Sequence, residues 1–159
     1  MRMLECPGVF TMPVPDGWRA LGTPGVCYEL LPPRGAGAIH VTVFPRHPAV
    51  PRPHEARALL STFIGQIRPA DPLVVINERA EGPVQRAYAR FDGTHENGLP
   101  AYWFAGTVLA PGRFLLCSST TPPNDPLLDY AERMFARLTL IPPHASRQQQ
   151  RPRPSLAYQ

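Results

Sequence analysis

An α+β fold follows from three features of the sequence: a mainly antiparallel sheet with two principal helices packed on it. Two segments, 54–68 and 125–138, repeat apolar residues at helical spacing. Several others alternate apolar and polar residues, as half-buried strands do. The helices interrupt a run of strands instead of following each strand in turn, which argues against a doubly wound parallel sheet.

The first segment, 10–18, reads FTMPVPDGW. Its start predicts an edge strand, because Pro13 cannot donate to a central ladder. Pro15, Asp16 and Gly17 are turn residues. A short strand is expected within 25–31 and a clear one over 38–44, where Ile39, Val41 and Val43 face one way and His40, Thr42 and Phe44 the other. His40 is expected to pack in the sheet. After the proline-rich loop 45–53, Ala56, Leu59, Leu60, Phe63 and Ile67 mark one stripe of the first helix, which Pro69 and Pro72 stop.

Residues 73–76 predict a short β-branched strand, and 83–91 a longer one. Asp92-Gly93 and Asn97-Gly98 predict the turn region after it. Segments 102–109 and 113–119 form a hairpin about Ala110-Pro111-Gly112. Residues 120–125 form a polar turn, with Asn124 or Asp125 as helix cap and Pro126 in the first helical position. Leu127, Leu128, Ala131, Met134, Phe135 and Leu138 carry the second stripe. The globular domain spans 1–143. The segment 144–159, rich in Arg, Pro and Gln, is expected to be disordered, with few apolar groups to offset ordering entropy of about 1–2 kcal/mol per residue.

Composition limits the function classes. The 159 residues carry 43% apolar side chains, enough for one core. No apolar run approaches the roughly 20 residues of a membrane span, and the N-terminal residues lack a secretory pattern, so a cytoplasmic protein is expected. All 16 basic residues are Arg, and there are 22 Pro, the composition a GC-rich bacterial genome produces. Arg147, Arg151 and Arg153 account for three of the four excess positive charges. The domain itself is nearly neutral, so no nucleic-acid partner is expected. Cys6, Cys27 and Cys117 are widely spaced and odd in number, and are expected to be reduced.

Motifs for nucleotide, zinc, calcium and ester chemistry are absent from the sequence. No catalytic residue, metal ligand or cofactor is assigned. His47 and His54 share a loop but lack further ligands, and His95 beside Glu96 is expected to be solvated in a turn. Ser118, Ser119, Thr120 and Thr121 stand where a nucleophile elbow would, without its glycines. The candidate binding residues are Arg86, Tyr88 and Arg90, which share one strand face, and Trp103, which joins them if the register allows. Tyr102, Trp103 and Phe104 are consecutive, so at least one aromatic points away from the others and is covered by a second helix or left at an interface.

Phe10, Pro13 and Trp18 in FTMPVPDGW, then AIHVTVF, ARALLSTFI, VQRAYARF, YWFAGTVLAPGRFLLCSSTTP and LDYAERMFARL, resemble the order of elements in DcrB-like proteins of the PsbP-like α/β/α sandwich superfamily. The resemblance covers residues 8–140. It implies a binding protein or assembly factor, such as a chaperone of secretion effectors, and transfers no site residue. Cys6 follows no apolar segment, which sets the chain apart from the lipoprotein members. The expected function is therefore a non-catalytic protein-binding module, an adaptor or chaperone. Two alternatives stay open: a small-ligand binder or enzyme with a site near the 45–54 loop and the 118–121 turn, and a toxin-immunity protein.

Overall fold

The structure is a computed structural model that describes residues 1–35, 37–45, 50–71 and 73–141. The 144–159 tail, His47 and Pro72 lie outside the described residues. The elements are β1 (Arg2–Cys6), β2 (Phe10–Val14), β3 (Arg19–Thr23), β4 (Cys27–Leu31), β5 (Ile39–Val43), α1 (Glu55–Ile67), β6 (Asn77–Glu81), β7 (Val84–Thr94), β8 (Pro100–Ala110), β9 (Arg113–Thr121), α2 (Leu127–Arg137) and β10 (Thr139–Leu140). The expected α+β fold is present, in two sheets. Seven strands form one antiparallel sheet in the order β3-β4-β5-β9-β8-β7-β6, and β1-β2-β10 form a second.

Neither β1 nor β10 was expected from the sequence, and together they change the reading of Pro13. Strand β2 is central where β10 pairs with Phe10 and Thr11, but β10 ends there. At Pro13 only β1 is alongside, through Met3. The proline therefore sits on a free edge, as its missing N–H requires.

Three further expectations are corrected. Residues 73–76 are not a strand: Leu73 and Val75 are exposed, and the edge strand β6 begins at Asn77. Asp92-Gly93 is not a turn, because β7 continues to Thr94 and the reversal comes at 95–99, closed by His95 N–H to Leu99 O at 2.8 Å. Gly93 belongs in the strand because the Trp103 indole lies over it; a Cβ there would come within 3.1 Å of Trp103 Cδ1. Residues 118–121 are not a turn either, but the end of β9.

The two faces of the large sheet are covered unequally. Helix α2 and the small sheet share one face and enclose the larger core, which includes Phe10, Met12, Leu30, Phe104, Leu115 and Phe135. Helix α1 packs on β7 and β8 of the other face, over an alanine-rich layer of Ala56, Ala87, Ala89 and Ala105 with Leu60 and Ile64. On that face the residues of β4, β5 and β9 beyond α1 include Glu29, His40 and Ser118, and His40 is exposed, not packed as expected.

Candidate functional site

Strand β7 places Arg86, Tyr88 and Arg90 on one face, opposite Val108, Gly106 and Phe104 of β8. They share a face as expected, but it is the face beneath α2. The Arg86 guanidinium donates to Phe135 O at 3.3 Å and Leu138 O at 2.6 Å, fastening the last turn of the helix. Burial lowers its pKa from the ordinary arginine value. The half-buried Tyr88 ring lies 6.3 Å from Phe104 and 6.0 Å from Phe135. Arg90 binds Asp129 at 2.7 Å and Glu132 at 3.3 Å, and its pKa is raised, first by the hydrogen bond to Asp129.

Trp103 pairs with Phe91 and faces the other way. Its indole stacks on Phe91 at 6.4 Å with an interplanar angle of 4° and packs against the α1 cluster. It is the outward aromatic of the Tyr102–Phe104 run, and α1 covers it.

Arg90 lines a groove of about 600 Å3 that also touches Trp103, whose indole points to the other side of the sheet. The groove exists because β7 and β8 stay paired as far as Thr94 and Pro100, while α2 begins only at Leu127. Pro126, expected in the first helical position, is the residue that caps the helix, and Asp125 turns the chain into it: its Oδ1 accepts the Leu127 N–H at 2.9 Å. The sheet surface beyond that helix end is bare. Asp92 and Tyr102 lie directly opposite each other on it, beside Thr121, with Asp125 and Asp129 on the wall. Tyr102 is 40% exposed. No hydrogen bond joins the Asp92 or Tyr102 side chain to a described residue. One guanidinium, Arg90, is shared by Asp129 and Glu132, so the groove is net acidic. Asp92 was missed in the sequence because it stood in a presumed turn, and Tyr102 because exposure at a strand end depends on where the helix stops.

The alternative site splits in two. Ser118 and Thr120 line a second cavity of about 380 Å3 with His40, Phe63, His95 and Trp103. His54 lines a different depression with Glu78 and Gln85. Its Nδ1 lies 2.8 Å from Glu78, whose pKa it holds below the usual carboxylate value, with Arg57 helping at 3.1 Å. Ser119, the middle of the supposed elbow, donates its hydroxyl to Ala38 O at 2.9 Å. The described residues contain no cluster of three metal-ligating side chains.

No family profile matches the sequence, and a search among curated proteins finds no match. Solved structures do resemble the fold. LpqN of Mycobacterium tuberculosis, described as involved in cell envelope biogenesis, aligns with a TM-score of 0.60 at 15% identity, over 86% of each chain. A protein from Bacteroides thetaiotaomicron aligns with a TM-score of 0.56 at 16% identity, over 84% of this chain. The chain spans 45% of that second protein's length. At such identities the likeness is one of fold alone. No helix among the described residues is long and apolar enough to cross a membrane.

Proposed function

We propose that the protein is a non-catalytic binding module that seats a cationic side chain of a partner polypeptide, an arginine or lysine, in the groove at the start of α2. One observation carries this reading. The groove sets the exposed Tyr102 ring directly opposite the unpartnered Asp92 carboxylate. A cation over a ring face and near a carboxylate is attracted by both, and the acidic wall adds to the attraction. Arg90 keeps the binding role expected of it, as a rim residue, whereas Arg86 and Tyr88 act through α2 and the Trp103 indole lies on the α1 face of the sheet.

An adaptor or chaperone role agrees with the DcrB-like and PsbP-like resemblance, which implies a binding protein or assembly factor. The three free thiols, Cys6, Cys27 and Cys117, favour a reducing compartment, so we place the protein in the cytoplasm.

The partner is to be captured from native cells with the full chain and identified by mass spectrometry. Asp92→Asn and Tyr102→Ala then each weaken the purified pair by about ten-fold, near the upper range for such contacts. Added salt weakens it further, as screening of an exposed charge pair requires. Wild-type affinity in both variants, with the fold unchanged by circular dichroism, would sink the reading.

A further inference from the structure

We infer that the protein has a second site, on the α1 face of the sheet, for a small carboxylate with an apolar body. Strand register builds it. His40 of β5 pairs with Ser118 of β9, and Thr120 of β9 pairs with Trp103 of β8, so neighbouring rows of one face bring the four side chains together. Helix α1 adds Phe63, and the β7–β8 hairpin adds His95 and Glu96. Together they enclose the cavity of about 380 Å3.

The chemistry of the lining selects the ligand. The His40, His95 and Ser118 side chains make no hydrogen bond to a described residue. The Thr120 hydroxyl is shut off from water with no partner. All four groups can donate a hydrogen bond, and a carboxylate only accepts, through two oxygens. Phe63 and Trp103 supply an apolar wall for the rest of the molecule. The volume lies at the small end of ligand sites, which suits a body of roughly ten heavy atoms. Glu96 is the single charged acceptor in the lining, and its repulsion of an anion gives the site a testable sign.

The probe is phenylacetate, titrated into the full chain labelled with 15N. The Trp103 indole N–H signal moves saturably. That of Trp18, packed on Tyr130 of α2 at 5.4 Å, stays in place. His40→Ala and Ser118→Ala each weaken binding by about ten-fold, as loss of a hydrogen bond to a charged group does. Glu96→Gln tightens it. Phenylacetamide, which has the same body without the charge, binds about ten-fold more weakly. Asp92→Asn, which impairs the groove, leaves the titration unchanged. The inference fails if phenylacetamide binds as tightly as phenylacetate or if Glu96→Gln weakens binding. It fails equally if Asp92→Asn abolishes the shift, or if Trp103 shows no saturable shift at millimolar probe.

Discussion

Gly106 has no side chain, and the Phe135 ring occupies the space one would take. A Cβ at Gly106 would stand 2.7 Å from Phe135 Cε2 and 2.8 Å from Cζ. The ring also meets Phe104 edge-on at 5.6 Å and is 3% exposed. Phe135→Ala should therefore cost about 3–5 kcal/mol in urea unfolding, through lost contacts and a cavity. Gly106→Ala should cost about 1–3 kcal/mol by overpacking, and Phe135→Leu in that background should recover part of the loss, a coupling that a double-mutant cycle reads. Additive effects would mean that the two residues do not share the space. Cys117, on the same face, is 2% exposed, and burial pushes its thiol up from 9.0 to about 12. Between those values the unfolded chain releases the proton and the folded chain keeps it. Stability is then whole below pH 9 and falls by about 1.4 kcal/mol per pH unit from this group as pH rises toward 12. Cys117→Ala should flatten that slope in alkaline unfolding titrations; an unchanged slope would place its origin elsewhere.

Helix α2 is held by its ends as much as by its stripe. Asp125 accepts at its start, and Arg86 reaches across from β7 to the carbonyls of Phe135 and Leu138 at its end. The Phe135 carbonyl also accepts the Leu138 N–H at 3.2 Å, so the guanidinium is its second donor, and the same fork reaches Leu138 O. Arg86→Ala should cost about 2–3 kcal/mol, since hydrogen bonds to charged groups contribute more than neutral ones. Arg86→Lys should recover less than half, because an ammonium cannot span both carbonyls in a fixed geometry. Full recovery by lysine in thermal unfolding would show that charge alone matters. By contrast the Arg90 pairs with Asp129 and Glu132 are exposed and solvent-screened, and contribute at most about 1 kcal/mol. Helix α1 is held at its start from β7 as well: His54, in the left-handed region, makes no side-chain cap, but the Ala56 N–H donates to Gln85 Oε1 at 3.0 Å.

At the scale of the whole molecule, β8 is the spine. It pairs with β7 and β9 along its length and lies between the two helix layers. Every residue from Phe104 to Ala110 is buried. Amide hydrogens of 105–109 should therefore exchange slowest in native-state hydrogen exchange, opening only with global unfolding. The edge strands β3 and β6, almost wholly exposed, should exchange first. Slower exchange in β3 than in β8 would show that its outer edge is covered in solution. The edge β6 carries Glu78, Arg79 and Glu81, charges that discourage pairing with another chain.

Periodicity in the sequence alone determined that there are two helices, which residues form the α2 stripe, and that the sheet is mainly antiparallel. These are local properties: each is written in the spacing of neighbouring side chains. The turn at Asp125 into α2 was legible for the same reason, since its carboxylate acts on the N–H only two residues on, although the cap itself is Pro126. Only the tertiary structure decided the rest. It recruited β1 and β10, too short or too polar to announce themselves, by pairing β1 along the whole of β2 and β10 with Phe10 and Thr11. It kept Asp92 and Gly93 in a strand because Trp103 needed the space above the glycine. It put α2 over Arg86 and Tyr88, turning an expected binding face into a helix anchor, and left Asp92 and Tyr102 bare where that helix begins. It also brought His40, Ser118 and His95 to one cavity across 78 residues of chain, from position 40 to position 118. Such groupings depend on strand register and on where helices stop, and neither is encoded in the spacing of any single segment.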